Sequence, residues 1–434
     1  MKRILVLSRA AFGPRISSPG IRAYHMSRVL AENVPGATVT LAVPERDLGA
    51  FPEGLPFRVA PYNQASAVRE IANHDIIIST GFPVGAVLPF FWKTFILDFF
   101  TQYFIEWLEA AGDDPGISKR RRRAWMSVAR KFVSSQLTFA DYILAANDRQ
   151  RDTYIGSLLN LDLIRPSTYQ RDSSLRKLVD VAPHGMRPDK LEHTAKAVKG
   201  KYAGIRESDR LLLWNGGVLH WYDPATLLRA MRQIADKRDD VKLLFTGAFY
   251  PGLHTLGLGR RFSETIELAR ELGLYNRSVF FDVGWIPYEE MKNYLMETDL
   301  SVCTYFERLE THFSHRTRFL DVFWAEIPLV CTRGDVLADM VEEHRLGLTV
   351  SEGDVSGVAN AILRLLDDRD LYEECKRNIS GVRDSLSWDV VLEPLVEFCK
   401  NGRSIARPKR ERLIPLVSRV ASYAISRASL PLMR

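Results

Sequence analysis

Short, unbroken apolar runs recur along this chain with room for a helix between each pair, and the series starts twice. The first set falls at residues 4–7, 39–42, 76–78, 95–97 and 142–145, with a helical pattern near 20–32. The second begins at 211–214 and continues through 242–247, 279–281, 300–303, 329–331 and 348–350. A strand apolar on both sides must be covered on both sides, and helices alternating with parallel strands do this. The expectation is an α/β chain of two doubly wound, Rossmann-like domains, with ligands at the carboxyl ends of the strands in a cleft between them.

The restart divides the chain. Residues 1–185 form the first domain and 186–386 the second. A helix over 387–400, apolar at helical spacing from Trp388 to Lys400, is expected to close the second domain. Residues 401–434 are a basic linker and an amphipathic tail, with Leu416, Val417, Val420, Ala421 and Ala424 on one side and Ser418, Ser422, Ser426 and Ser429 on the other.

Charge narrows the partners. The formal net charge is +6, but 401–434 carries Arg403, Arg407, Lys409, Arg410, Arg412, Arg419, Arg427 and Arg434 against Glu411 alone, so residues 1–400 sum to −1. A near-neutral body gives no support for a general nucleic-acid surface, and no nucleic-acid partner is expected. The tail and the cluster from Lys119 to Arg123 suit an anionic membrane surface; the plainer alternatives are a disordered tail and a solvated helix face. Cys303, Cys331, Cys375 and Cys399 show no paired or metal-ligand spacing and read as core thiols of a reducing cytoplasm. The apolar start is too short for a signal peptide, and 76–92 is broken by Gly81, Pro83 and Pro89, so no spanning helix is expected.

The densest chemistry lies between the run ending at Cys303 and a helical pattern from Arg318 to Ala325. Glu310, His312, His315, Arg316, Arg318 and Asp321 fall within twelve residues. Guanidinium forks near a helix start, where free N–H groups point outward, favour phosphate. A solvated charged loop is the alternative.

With these residues the chain resembles the GT-B nucleotide-sugar glycosyltransferases, specifically the large retaining group called family 4 or group 1, over nearly all of residues 1–400. Residues 18–31 are similar to the first loop and helix of its acceptor domain, and 182–186 (Ala-Pro-His-Gly-Met) to its interdomain crossing. Residues 214–224, with Gly216 and Gly217, resemble the glycine loop opening its donor domain, and 284–288, with Trp285 and Ile286, the strand end beside the base. The resemblance implies transfer of a sugar from a nucleoside-diphosphate sugar to a glycan or lipid-linked acceptor, with retention. It further implies a role in cell-surface polysaccharide or glycoconjugate biosynthesis, in the cytoplasm or on the inner face of the membrane. No resident cofactor and no metal is expected.

Residue by residue, the resemblance puts Gly216 and Gly217 at the diphosphate, where missing Cβ atoms let backbone N–H groups approach; a plain tight turn is the alternative. Trp285 and Ile286 flank the base or sit in the core. Asp321 takes a ribose or donor hydroxyl or pairs with an arginine, and Glu310 takes a sugar hydroxyl. On the acceptor side stand Gly13, Arg15, Asp98 and Glu106, each with an ordinary turn or surface alternative.

Two departures matter. Where the group has an arginine and a lysine after the glycine loop, this chain has Val218, Leu219, His220, Trp221 and Tyr222. Where the group has two glutamates eight apart, Phe313 and Asp321 stand here, with Glu310 nearby. Arg316 and Arg318, with His312, are therefore expected to balance the charge of the leaving diphosphate. A sugar-nucleotide 2-epimerase of the same fold, or a silent protein that binds a sugar nucleotide, remains the alternative.

Overall fold

The computed structural model describes residues 2–13, 16–47, 49, 53–83, 87–113, 118–247, 258–402 and 404–429. It divides into two compact units, Met1–Gly185 with Trp388–Arg434, and Met186–Ser387.

The first unit holds β1 (Lys2–Leu7), α1 (Ser18–Asn33), β2 (Ala37–Pro44), β3 (Arg58–Tyr62), α2 (Gln64–Asn73), β4 (Ile76–Ser79), β5 (Thr94–Phe99), α3 (Tyr103–Asp113), α4 (Lys119–Phe139), β6 (Tyr142–Ala145), α5 (Asp148–Asn160), α6 (Pro166–Arg171) and β7 (Val179–Val181). Its strands pair in parallel in the order β3-β2-β1-β4-β5-β6-β7. Alternate side chains of β1 enter opposite cores: Ile4 and Val6 join α1, while Leu5 and Leu7 join Phe95, Leu97 and Phe139. β3 was not legible as a strand because Pro61 interrupts it; it lies at the sheet edge, where a missing N–H is tolerated.

The second unit holds β8 (Arg210–Asn215), α7 (Pro224–Ala235), β9 (Val241–Thr246), α8 (Leu258–Glu271), β10 (Val279–Phe281), α9 (Met291–Met296), β11 (Leu300–Cys303), α10 (Leu309–Phe313), α11 (Arg318–Trp324), β12 (Leu329–Thr332), α12 (Val336–Glu343), β13 (Gly347–Val350), α13 (Val355–Asp367) and α14 (Arg369–Val382). The order β10-β9-β8-β11-β12-β13 is again parallel, and the chain reverses direction across the sheet between β8 and β11. Loops at such a switch diverge and leave room for a ligand at the strand ends. Local chemistry fixes the helix starts: Asp223 accepts from the Thr226 N–H ahead of α7, with Pro224 at its first position, and Asp335 accepts from Leu337 and Ala338 N–H ahead of α12.

The terminal segment corrects the sequence expectation. α15 (Trp388–Val391) and α16 (Glu393–Asn401) do not close the second unit. Trp388, Leu392, Leu395 and Cys399 pack with Met26, Leu30 and Tyr142 of the first. α17 (Lys409–Ser429) is likewise an ordered part of the first unit, packed along α4, with Leu416 fully buried. Apolar spacing told of a buried face but not of which core receives it.

Candidate active site

In the second unit, three elements meet at the switch point. β8 ends in Asn215, whose side-chain amide donates to the Arg318 carbonyl at 3.1 Å and ties the strand end to the start of α11. The chain then turns through Gly216 at φ +101°, a conformation that penalises any side chain. Gly247, after β9, approaches so closely that a Cβ there would lie 3.2 Å from Gly216 Cα.

Arg318 lies over this loop. Its Nη2 donates to the Gly217 carbonyl at 2.8 Å, and its guanidinium stacks on Tyr222 at 4.0 Å and lies 5.5 Å from the Trp214 ring. Its Nη1 is shielded from solvent and has no hydrogen-bond partner among the described residues. A shielded cationic donor without an acceptor is costly, so an anion beside it would be held firmly.

Arg316 is engaged otherwise. It is buried, donates from Nη2 to Glu310 Oε2 and Thr311 Oγ1, each at 3.0 Å, and lies between the rings of Tyr305 at 4.2 Å and Tyr222 at 5.0 Å. Its Nε is 2.9 Å from Asp335 Oδ2, out of line for a hydrogen bond but close enough for strong attraction. Burial opposes its charge, and Glu310, Tyr222, Asp335 and Tyr305 more than offset this, so it stays protonated. With two carboxylates already around it, Arg316 has little charge left for a ligand. Glu310 is buried with it, while His312 is exposed at the end of α10, edge-on to Phe313.

Asp321, one turn into α11, keeps some surface open to solvent, yet its carboxyl is ringed by protein. Burial pushes its pKa up to about 6 against the opposing pull of Arg187 and Arg318. No hydrogen bond reaches this carboxylate among the described residues. Arg187 was missed by sequence reading. It is buried, stacks on Tyr288 at 3.9 Å and Trp324 at 4.5 Å, and donates to the Tyr288 carbonyl at 2.9 Å. Its signal was weak: a single arginine directly after the 182–186 segment. Ile286 is buried and Trp285 half-buried in the segment after β10, which lies beyond β9 from the glycine loop.

The first unit treats its candidates differently. Asp98 is buried at the end of β5 and binds Arg22 through two guanidinium nitrogens, Nη2 to Oδ1 at 2.6 Å and Nε to Oδ2 at 2.8 Å. Arg22 also donates to the Ala182 and Pro183 carbonyls. Asp98 is thus spent on holding α1 and the 182–183 segment to the sheet. Gly13, at φ +122°, sits so close to Gly49 that a Cβ would approach its Cα to 2.7 Å, which accounts for a glycine without any ligand. Glu106 opens α3, where its charge helps burial raise the pKa of Tyr103 to about 12. Arg15 lies outside the described residues. The structure therefore draws Gly216, Gly217, Arg318 and Asp321 toward one region, keeps Glu310 and Arg316 as a buried pair beside it, and commits Asp98 to Arg22. Among the described residues no group of three or more histidine, cysteine, aspartate or glutamate side chains is arranged to hold a metal ion.

Residues 199–381 match the family model described as glycosyl transferases group 1. A search of curated protein sequences finds no match. Among solved structures the chain is similar to HepE of Anabaena in complex with UDP and glucose, at 14% identity and TM-score 0.61, covering 92% of this chain and 100% of that one. It is also similar to the sucrose-phosphate synthase of Thermosynechococcus elongatus, at 15% identity and TM-score 0.62, covering 92% and 98%. WaaG, a glycosyltransferase involved in lipopolysaccharide biosynthesis, matches at 14% identity and TM-score 0.59, covering 92% and 100%. At such identities the likeness establishes the fold, which is GT-B.

Proposed function

We propose that the chain, whose residues 199–381 match the model for group 1 glycosyl transferases, is such an enzyme and moves a hexosyl group from a nucleoside-diphosphate sugar to a glycan or lipid-linked acceptor. Retention of anomeric configuration, independence from a divalent ion, and work on cell-surface polysaccharide or glycoconjugate at the cytoplasmic face of the membrane complete the reading. The observation that carries it is the shielded Nη1 of Arg318, which has no hydrogen-bond partner among the described residues, beside the Gly216–Gly217 turn.

In this reading the backbone N–H groups of the glycine turn and the Arg318 guanidinium receive the diphosphate. As the glycosidic bond breaks, negative charge grows on the departing diphosphate, and a cation already fixed on Tyr222 stabilises it without reorganising. Arg318 thus takes the place of the basic pair that the family carries after its glycine loop. Arg316 acts through position, holding α10 and the start of α12 by Glu310 and Asp335. Asp321 accepts from a donor hydroxyl, and Trp285 and Ile286 border the base. HepE has been solved with UDP-glucose, which makes uridine diphosphate sugars the first donors to try. Incubation with radiolabelled donors and membrane extracts should give labelled polymer or lipid together with free nucleoside diphosphate. An epimerised sugar nucleotide, with no labelled acceptor and no net release of free nucleotide, would instead support the epimerase.

A further inference from the structure

We propose that the outward face of α17 is a docking surface for an anionic lipid bilayer. The helix packs in an unexpected sense. Its inner face combines anchoring cations with a few apolar side chains: Arg412 is buried and donates to the Thr138, Phe139 and Ala140 carbonyls at the end of α4 and to Asp141, Leu416 is fully buried, Val420 packs against the same core and Tyr423 lies against Phe132. Arg419 donates to Thr138 Oγ1, and Ser426 accepts from Lys131. A second apolar set at three- and four-residue spacing, Leu413, Ile414, Val417, Ala421, Ala424 and Ile425, is left outside. Ile414 is 81% exposed and Ile425 71%, values that a stripe packed in the protein's own core would not show.

Charge selects the occupant. Exposed Arg410 and Arg427 flank the stripe, and α4, which runs antiparallel alongside, presents exposed Lys119, Arg120, Arg121 and Arg123 at its start. α4 contains no acidic residue, and α17 contains only Glu411, which Arg165 holds at 2.5 Å. An apolar stripe edged by cations on a helix too polar to span a bilayer is the pattern of a helix lying in the interface of an anionic membrane. An acidic protein partner would match the cations but leave the isoleucines without reason. The proposal deepens the reading of a lipid-linked acceptor, yet docking is scored apart from donor binding.

The test is co-sedimentation of the full chain with phosphatidylcholine vesicles and with vesicles about one quarter phosphatidylglycerol. The wild type should pellet with the anionic vesicles only, and raised salt should weaken this. Ile414→Asp/Ile425→Asp and, separately, Arg120→Glu/Arg121→Glu should each lower vesicle affinity about ten-fold or more. Melting temperature and any nucleotide-induced thermal shift should stay as in the wild type, since all four side chains are exposed. Failure of the wild type to bind anionic vesicles overturns the proposal, as does undiminished binding by the isoleucine variant. A dimer in light scattering that this variant dissociates, with no vesicle binding by the wild type, would assign the stripe to a second copy and also overturn it.

Discussion

Arg318 donates from Nη2 to the carbonyl of Gly217 at 2.8 Å, so a cation from the start of α11 stands directly beside the glycine turn. Its charge is not neutralised by any carboxylate within ion-pair distance among the described residues, and that sets it apart from Arg316. Arg318→Ala should therefore lower kcat by about 10²- to 10³-fold, the usual loss when one preorganised charge-stabilising donor is removed, while leaving the melting temperature nearly unchanged. Single-turnover assays and thermal melts on the same preparation check both halves.

Arg316→Ala should behave in the opposite way. It leaves Glu310 and Asp335 buried without their shared cation, which costs roughly 3–5 kcal/mol. Denaturant unfolding should show that loss directly. A variant of wild-type stability with abolished turnover would instead put Arg316 on the ligand.

Asp321 predicts a pH dependence. Its folded pKa of about 6 lies above the ordinary carboxylate value because burial disfavours the ion. Stability from this group is therefore fully present below pH ~4 and lost as pH rises through ~6. Asp321→Asn removes that loss and should make the protein more stable than wild type at pH 7.5 by about 2 kcal/mol, with little difference at pH 4. The same change should weaken donor binding at pH 7.5, because the ionised carboxylate is the better acceptor for a sugar hydroxyl. Melts at the two pH values, paired with titration calorimetry, test the trade. Equal stability at both pH values would count against the raised pKa.

Much of this was legible from the chain. Apolar runs such as 300–303 and 329–331 could be little else than buried parallel strands, and the glycine pair two residues past the run 211–214 placed the turn at the end of β8. The roles of Arg316 and Arg318 were not separable, since two arginines two residues apart have the same composition around them. Only the fold brings Asp335, which follows β12 in the chain, back onto Arg316. Asp98 misled for a related reason: its partner Arg22 is 76 residues away. The helices α15 and α16 carried a clear period but no mark of which core they enter.

Asp98→Ala should consequently act on stability rather than on acceptor recognition. It strands the buried Arg22 charge and should cost about 3–5 kcal/mol in chemical denaturation. A variant of normal stability whose only defect is a raised KM for acceptor would return Asp98 to the acceptor site.

Chelation offers a separate check on the electrostatic plan. If Arg318 and the glycine turn supply the positive charge for the leaving group, turnover in excess EDTA should equal turnover without it. Loss of activity with EDTA, restored by a divalent ion, would show that these groups do not suffice.

The most direct measurement is a nucleoside-diphosphate titration of wild type and Arg318→Ala, followed by thermal shift and calorimetry. Saturation at about a hundred times the dissociation constant stabilises by about 2.7 kcal/mol, so the account predicts a clear upward shift with one nucleoside diphosphate. In Arg318→Ala that shift should be lost although the unliganded melting temperature is unchanged. No shift with any nucleotide in well-folded wild type, or an equal shift in the variant, would contradict the account.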